Sequence, residues 1–262
     1  MMPRAAIFCL HDVVAPERLA EMPATHRPYV LTPDELRALL VAARESPRRA
    51  IALAQVPGEL GGGFFSLTFD DGAASDYTVA FPVLCELGLR ATFFVVPTLV
   101  ETTGYVTWAQ LREMVAAGME VGSHSLTHPF VNTLDRAGLA YEFGESKRVL
   151  EHRLGIAVRS ASLPRGWEPP ALRPVLRELG YGAFCTSRVA WWRPGGDPLA
   201  IPRIAVRRGL LPEEFVTLVN TERRALWRMQ ALEAAKNAAK ACLGVGGWQR
   251  LRAPLLALKE RV

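Results

Sequence analysis

The chain has 262 residues, half of them hydrophobic and 22% charged, which gives enough apolar material for a large core and excludes an intrinsically disordered protein. Its formal charge of +5 invites a nucleic-acid reading, but residues 222–262 carry +6 of that and the preceding 221 residues carry −1. A nucleic-acid enzyme would line its own groove with cations, so the neutral body argues against that class. The four cysteines are scattered without a C-x-x-C pair, so neither a disulfide framework nor a cysteine zinc knot is expected. The apolar run Ala5–Leu10 is too short for a secretory core, and no window reaches the roughly 18 apolar residues of a membrane span. A cytoplasmic protein made without a cleaved signal is the expectation.

In chain order, Ala5–Leu10 reads as a buried strand that ends at His11-Asp12. Thr32-Pro33-Asp34-Glu35 is a capping box with Pro at the first helical position and predicts a helix to about Arg44. Phe64–Phe69 is a second strand, running into Asp70-Asp71-Gly72, and the helix after it should end at Gly88. Ala91–Val96 is a third strand. Thr107-Trp108-Ala109-Gln110 is another capping box, whose helix should stop at Gly118. Met119–Ser123 is a short strand that leads into His124, and a long helix is expected over about 134–154. Val158–Leu163, Gly182–Thr186 and Ile204–Val206 complete the strands, with a helix ending near Gly180. Such alternation predicts parallel βα units, whose ligands meet the loops at the carboxyl ends of the strands. The polar clusters His11-Asp12, Asp70-Asp71, His124/His128 and Arg165 fall there.

Two adjacent carboxylates at a strand end repel each other and, if buried and ionised, need a cation or a shared proton. An ordinary Asp-Gly turn is the plain alternative. His124 and His128, four apart in a segment bracketed by Gly122 and Pro129, can present two imidazoles to one ion, or can be ordinary surface or core histidines. Together the clusters supply one carboxylate and two histidines, the three-ligand pattern of a catalytic zinc site with an open position.

Thr68-Phe69-Asp70-Asp71-Gly72 followed by His124-Ser125-x-x-His128-Pro129 resembles the polysaccharide deacetylase family with the NodB homology domain. The similarity continues through Ala91–Val96, Trp108–Met114, Glu120–His124 and Glu145–Gly155, and spans roughly residues 5–220. The resemblance implies an α/β fold, a distorted (β/α) barrel over residues 1–221 followed by a basic helical extension at 222–262. It implies metal-dependent removal of an N-acetyl or O-acetyl group from a carbohydrate. Asp71, His124 and His128 would bind one divalent ion, zinc in the first instance, with Co2+, Mn2+ or Ni2+ as alternatives. Asp70 would be the general base.

The family's general acid is a His on a late apolar strand, and no such His occurs late in this chain. Phe8-Cys9-Leu10-His11-Asp12 has that form at the start, which matches the permuted members of the family. His11 is therefore assigned as the acid, with Asp12 orienting it, against the plain reading of a solvated strand-end turn. Arg165, in Leu163-Pro164-Arg165, occupies the Arg/Pro motif region in reversed order and would orient Asp70, contact the substrate or simply lie on the surface. The family's later Asp/Trp motif is not recognisable; Trp191-Trp192 and Asp197 occupy that stretch, where a Trp would stack on a sugar or pack in the core.

In the extension, Trp248, Leu251, Leu255 and Leu258 recur at helical spacing, after a shorter stripe of Leu226, Met229 and Leu232. A helical hairpin packed on the barrel is the first expectation and a peripheral contact with anionic lipid the second. The expected partners are an acetylated carbohydrate or a lipid-linked sugar, in exopolysaccharide or glycolipid biosynthesis, and no nucleic acid. The rival readings are hydrolysis of another non-peptide amide, such as a ureide or cyclic imide, and an inactive sugar-binding protein.

Overall fold

The computed structural model describes residues 3–222 except Gly62, together with 225–227, 229–231, 234, 235, 238 and 247. Among the described residues, eight strands form one parallel sheet: β1 (Ala6–Leu10), β2 (Arg49–Ala50), β3 (Phe64–Asp71), β4 (Ala91–Val95), β5 (Glu120–Ser123), β6 (Ser160–Ser162), β7 (Ala183–Cys185) and β8 (Ile204–Ala205). Their spatial order is β7-β6-β5-β4-β3-β1-β8, with β2 paired to the first residues of β3. The short stretch 201–205 joins the two edges. Ile201 exchanges backbone hydrogen bonds with Phe184 and Thr186 beside β7, while Ile204 and Ala205 pair with Phe8 and Cys9 of β1. The sheet thus curls into a distorted barrel, as expected.

The helices packed outside it include α1 (Pro33–Glu45), α2 (Phe81–Glu86), α3 (Trp108–Ala116), α4 (Arg136–Leu154), α5 (Leu172–Glu178) and α6 (Pro212–Val219). Both capping boxes form as read from the sequence. Thr32 and Glu35 cap α1 reciprocally, and Thr107 and Gln110 do the same for α3. Gly155 ends α4 in the left-handed conformation that glycine adopts without a Cβ penalty. The helix expected before Gly88 is a π-type turn, Asp76–Ala80, that runs into α2. Neither β2 nor α6 is among the elements read from the sequence.

Period-two alternation along β1 and β3 divides the core. Phe8, Leu10, Phe65, Leu67 and Phe69 face the helices in the main cluster. Ala5, Ile7 and Phe64 turn inward, with Ile51, Leu53, Val56, Phe94 and Cys185, to plug the barrel. Trp192 is buried in this inner cluster and its backbone pairs with Ala5, so packing is its role. Of the extension, Leu226 is buried in the main core and Met229 packs against it. Leu232, Trp248, Leu251, Leu255 and Leu258 lie outside the described residues, and with them the expected hairpin and lipid contact. Among the described residues, no helix is long and apolar enough to cross a membrane.

Candidate active site

The carboxyl ends of the strands open into a cleft of about 830 Å3, lined among others by His11, Asp70, Asp71, His124, His128 and Arg165. β3 delivers the two aspartates with opposite fates. Asp70 continues the extended strand and points into a fully buried polar pocket. Asp71 has φ +82° and Gly72 φ +75°, so the chain turns at once and leaves the Asp71 side chain partly exposed at the cleft.

His124 follows β5 and is buried. Its Nδ1 meets Ser162 Oγ, at the end of β6, at 2.5 Å, which fixes the ring. Its Nε2 lies 3.4 Å from Asp71 Oδ1, and His128 Nε2 lies 3.4 Å from the same oxygen. The segment between the histidines is a loop rather than a helical turn: Ser125 has φ +62° and His128 has φ +58°. Its local hydrogen bonds explain how those conformations are held. His128 N–H donates to Ser125 Oγ, while Leu126 N–H, Thr127 N–H and the Thr127 hydroxyl all donate to the Glu142 carboxylate on α4.

The three side chains fit a divalent ion. Their donor atoms all lie within 4.8 Å of one another. A separation of 3.4 Å is long for a hydrogen bond. It is close to the ~3.3 Å edge of a tetrahedron whose ligands sit ~2.0 Å from a central ion. Burial, with His124 beside it, lowers the His128 pKa to about 4, and burial likewise lowers that of His124. Both imidazoles are thus neutral near pH 7, the state that ligates a metal.

Burial alone would push Asp70 towards the protonated form, but Arg203 overrides it. The guanidinium donates to Oδ1 at 2.6 Å and to Oδ2 at 2.8 Å, and its charge holds the carboxyl well below the usual range. Ser162 Oγ, at 3.4 Å, and Cys9 Sγ, at 3.5 Å, complete the pocket. Arg203 was not among the residues expected here. The available signal was a cation inside the apolar run Ile201-Pro202-Arg203-Ile204-Ala205-Val206, on the stretch that closes the barrel.

Arg165 does not take that place. It has φ +57°, donates from Nε to the His128 carbonyl at 3.1 Å and lies 4.4 Å from the Phe130 ring centre, so it braces the second histidine at the cleft wall. His11 stands at the end of β1, its ring 5.5 Å from that of Tyr29, with Nδ1 buried and without a hydrogen-bond partner among the described residues. Asp12 does not orient it. Asp12 Oδ1 instead accepts from Val13 N–H and the Ser75 hydroxyl, closing the turn after β1. Asp76, also unforeseen, is buried with both carboxyl oxygens unpartnered among the described residues; burial, then Asp12, Asp71 and Asp70, push its pKa well up.

Residues 58–184 match the family model described as polysaccharide deacetylase. The chain is 35% identical over 146 residues to a chitooligosaccharide deacetylase of Bradyrhizobium sp. (strain ANU 289), covering 54% of this chain and 65% of that one. It spans between 53% and 65% of the length of the Bacillus subtilis, Sinorhizobium fredii and Bradyrhizobium relatives it matches. Among solved structures it is similar to IcaB from Ammonifex degensii, with 26% identity and a TM-score of 0.71 over 82% of this chain and 97% of that one. It also shares the fold of the Streptococcus pyogenes deacetylase PplD, with 21% identity and a TM-score of 0.75 over 84% of this chain and 99% of that one.

Proposed function

We propose that this protein, whose residues 58–184 match the polysaccharide deacetylase family model, is a metal-dependent deacetylase that hydrolyses an N-acetyl group on a carbohydrate chain. One observation carries the reading: Asp71 Oδ1 stands 3.4 Å from both His124 Nε2 and His128 Nε2, beside a carboxylate that Arg203 keeps ionised. Asp71, His124 and His128 would hold a divalent ion. That ion would supply Lewis acidity, polarising an acyl carbonyl and lowering the pKa of a water.

The chain's own groups do the rest. Asp70 accepts the proton of the attacking water. Because Arg203 makes it a weak base, it accepts that proton only fleetingly and is returned to the carboxylate at each turnover. His11, at the end of β1 beside β3, gives a proton to the departing nitrogen. The cleft is too large for an acetyl group alone, and Tyr29, Tyr105, Phe130 and Trp167 give its walls aromatic faces on which sugar rings stack. These features support an oligosaccharide or polysaccharide substrate, the class named for the Bradyrhizobium relative.

The test is metal analysis paired with acetate release from N-acetylated oligosaccharides. The full chain should hold about one divalent ion and release acetate. Asp71→Ala and His128→Ala should lose both ion and activity. Asp70→Asn should keep the ion and lose turnover by at least ~100-fold. His11→Ala should slow turnover with little loss of metal. Full activity in a preparation stripped of divalent ions would reject the mechanism.

A further inference from the structure

A second set of metal-ligating groups lies on the floor of the same cleft, adjoining the first. Cys9 and His11 are alternate residues of the segment that leaves β1, so both face Asp70 on the neighbouring strand β3. One donor atom from each of Cys9, His11 and Asp70 falls within 4.8 Å of the others, the same limit met by Asp71, His124 and His128. Cys9 Sγ is 3.5 Å from Asp70 Oδ2, and Cys9 and His11 both line the cleft, so an ion in the cleft reaches them. His11 Nδ1 is buried without a hydrogen-bond partner among the described residues, a polar atom whose desolvation nothing there offsets. None of the groups proposed to hold the first ion is needed for this one.

We propose that Cys9, His11 and Asp70 form a second, inhibitory site for a thiophilic divalent cation such as Cd2+ or excess Zn2+. A thiolate and an imidazole are the ligand pair that soft and borderline ions prefer over carboxylate-rich sites. On binding, the Cys9 S–H bond breaks, its sulfur bonds the ion, and the proton leaves to solvent; no electron is transferred. Asp70 and Arg203 already cancel each other's charge, so the incoming dication is offset by the one thiolate it creates. The second ion therefore carries an excess of positive charge beside Arg203 and the first ion, and binds about tenfold or more weakly than the first. Its consequence rests on the function proposed above: it occupies the base and the acid together and stops turnover.

The experiment uses the full chain carrying Cys85→Ser and Cys242→Ser, which removes the exposed Cys85 and the thiol that lies outside the described residues. Titration with Cd2+ should produce a thiolate-to-cadmium absorption band that saturates at about one ion per chain, after a first ion has bound silently. Cys9→Ser should abolish the band and keep the silent ion. His11→Ala should weaken the band's titration by about tenfold or more, and it tests the same site should Cys9→Ser not fold. Asp71→Ala should lose the silent ion and keep the band. A band that survives Cys9→Ser, or one indifferent to His11→Ala, overturns the site. Acetate release should fall as the band rises and resist Cd2+ in the Cys9→Ser chain. If the parent releases no acetate at all, the deacetylase reading fails while the ion count still decides this site.

Discussion

Replacing Arg203 with leucine would leave Asp70 as a buried carboxylate whose remaining hydrogen-bond partners are Ser162 Oγ at 3.4 Å and Cys9 Sγ at 3.5 Å. Breaking one side of a buried pair costs about 3–5 kcal/mol, because the surviving charge has lost its partner. The sign of the pH dependence gives a sharper test, read on metal-free protein. In the parent, the folded-state pKa of Asp70 is depressed. The stability it contributes is complete above the unfolded carboxylate value of about 4 and is lost as pH falls through the lower folded value. In Arg203→Leu, burial becomes the dominant influence and the folded pKa rises above the unfolded one. Stability is then complete below about pH 4 and is lost as pH rises towards the new folded value. Between about pH 4 and pH 8 the Asp70 contribution to the urea midpoint should therefore be flat in the parent and fall with rising pH in the variant. Parallel slopes would mean that Arg203 does not set the charge of Asp70.

At the scale of elements, the ion site depends on one helix holding one loop. Glu142 on α4 accepts two backbone N–H groups and one hydroxyl from residues 126–127, between the two histidines. Those bonds hold a segment in which two non-glycine residues adopt positive φ. Without them the loop relaxes and His128 leaves Asp71. Glu142→Ala should weaken Co2+ binding by about 10–100-fold, and Glu142→Gln, which keeps an acceptor oxygen, should weaken it less. A Glu142→Ala protein with a lowered melting temperature but unchanged Co2+ affinity would reduce Glu142 to a structural brace. Glu142 and Arg203 also mark where a linear reading stops. The capping boxes at Thr32 and Thr107 are legible because their partners lie three residues apart, and the ligand set is legible because its pattern is compact. Arg203 reaches Asp70 across 133 positions, and Glu142 meets Thr127 across 15 from a different element. Arg165, the nearer candidate in sequence, turns instead to His128 and Phe130.

Across the whole molecule, the barrel separates chemistry from cohesion. The alternation of strands and helices made the barrel legible, since strongly apolar runs mark buried parallel strands. The short closing strand was legible too, at Ile204–Val206, but the pairing of β1 with both β3 and β8 follows from closure rather than from any local pattern. The site occupies the carboxyl ends of the strands, and a separate fastening occupies the amino ends. There Arg48 donates to the carbonyls of Arg4 before β1, Phe64 at the start of β3 and Asn220 after α6, and to the Thr221 hydroxyl. One side chain thus ties the entry to two central strands to the end of α6. Arg48→Ala should cost about 1.5–3 kcal/mol of global stability through its lost charge-assisted hydrogen bonds. It should leave Co2+ affinity within about twofold of the parent, because rigid core strands lie between the two ends and no ligand contacts the fastening. Denaturant unfolding and metal titration of the same preparation check both halves. A loss of ion affinity in step with stability would show that the amino-end fastening sets the geometry of the site, and that the barrel behaves as one cooperative unit rather than as a scaffold with separable ends.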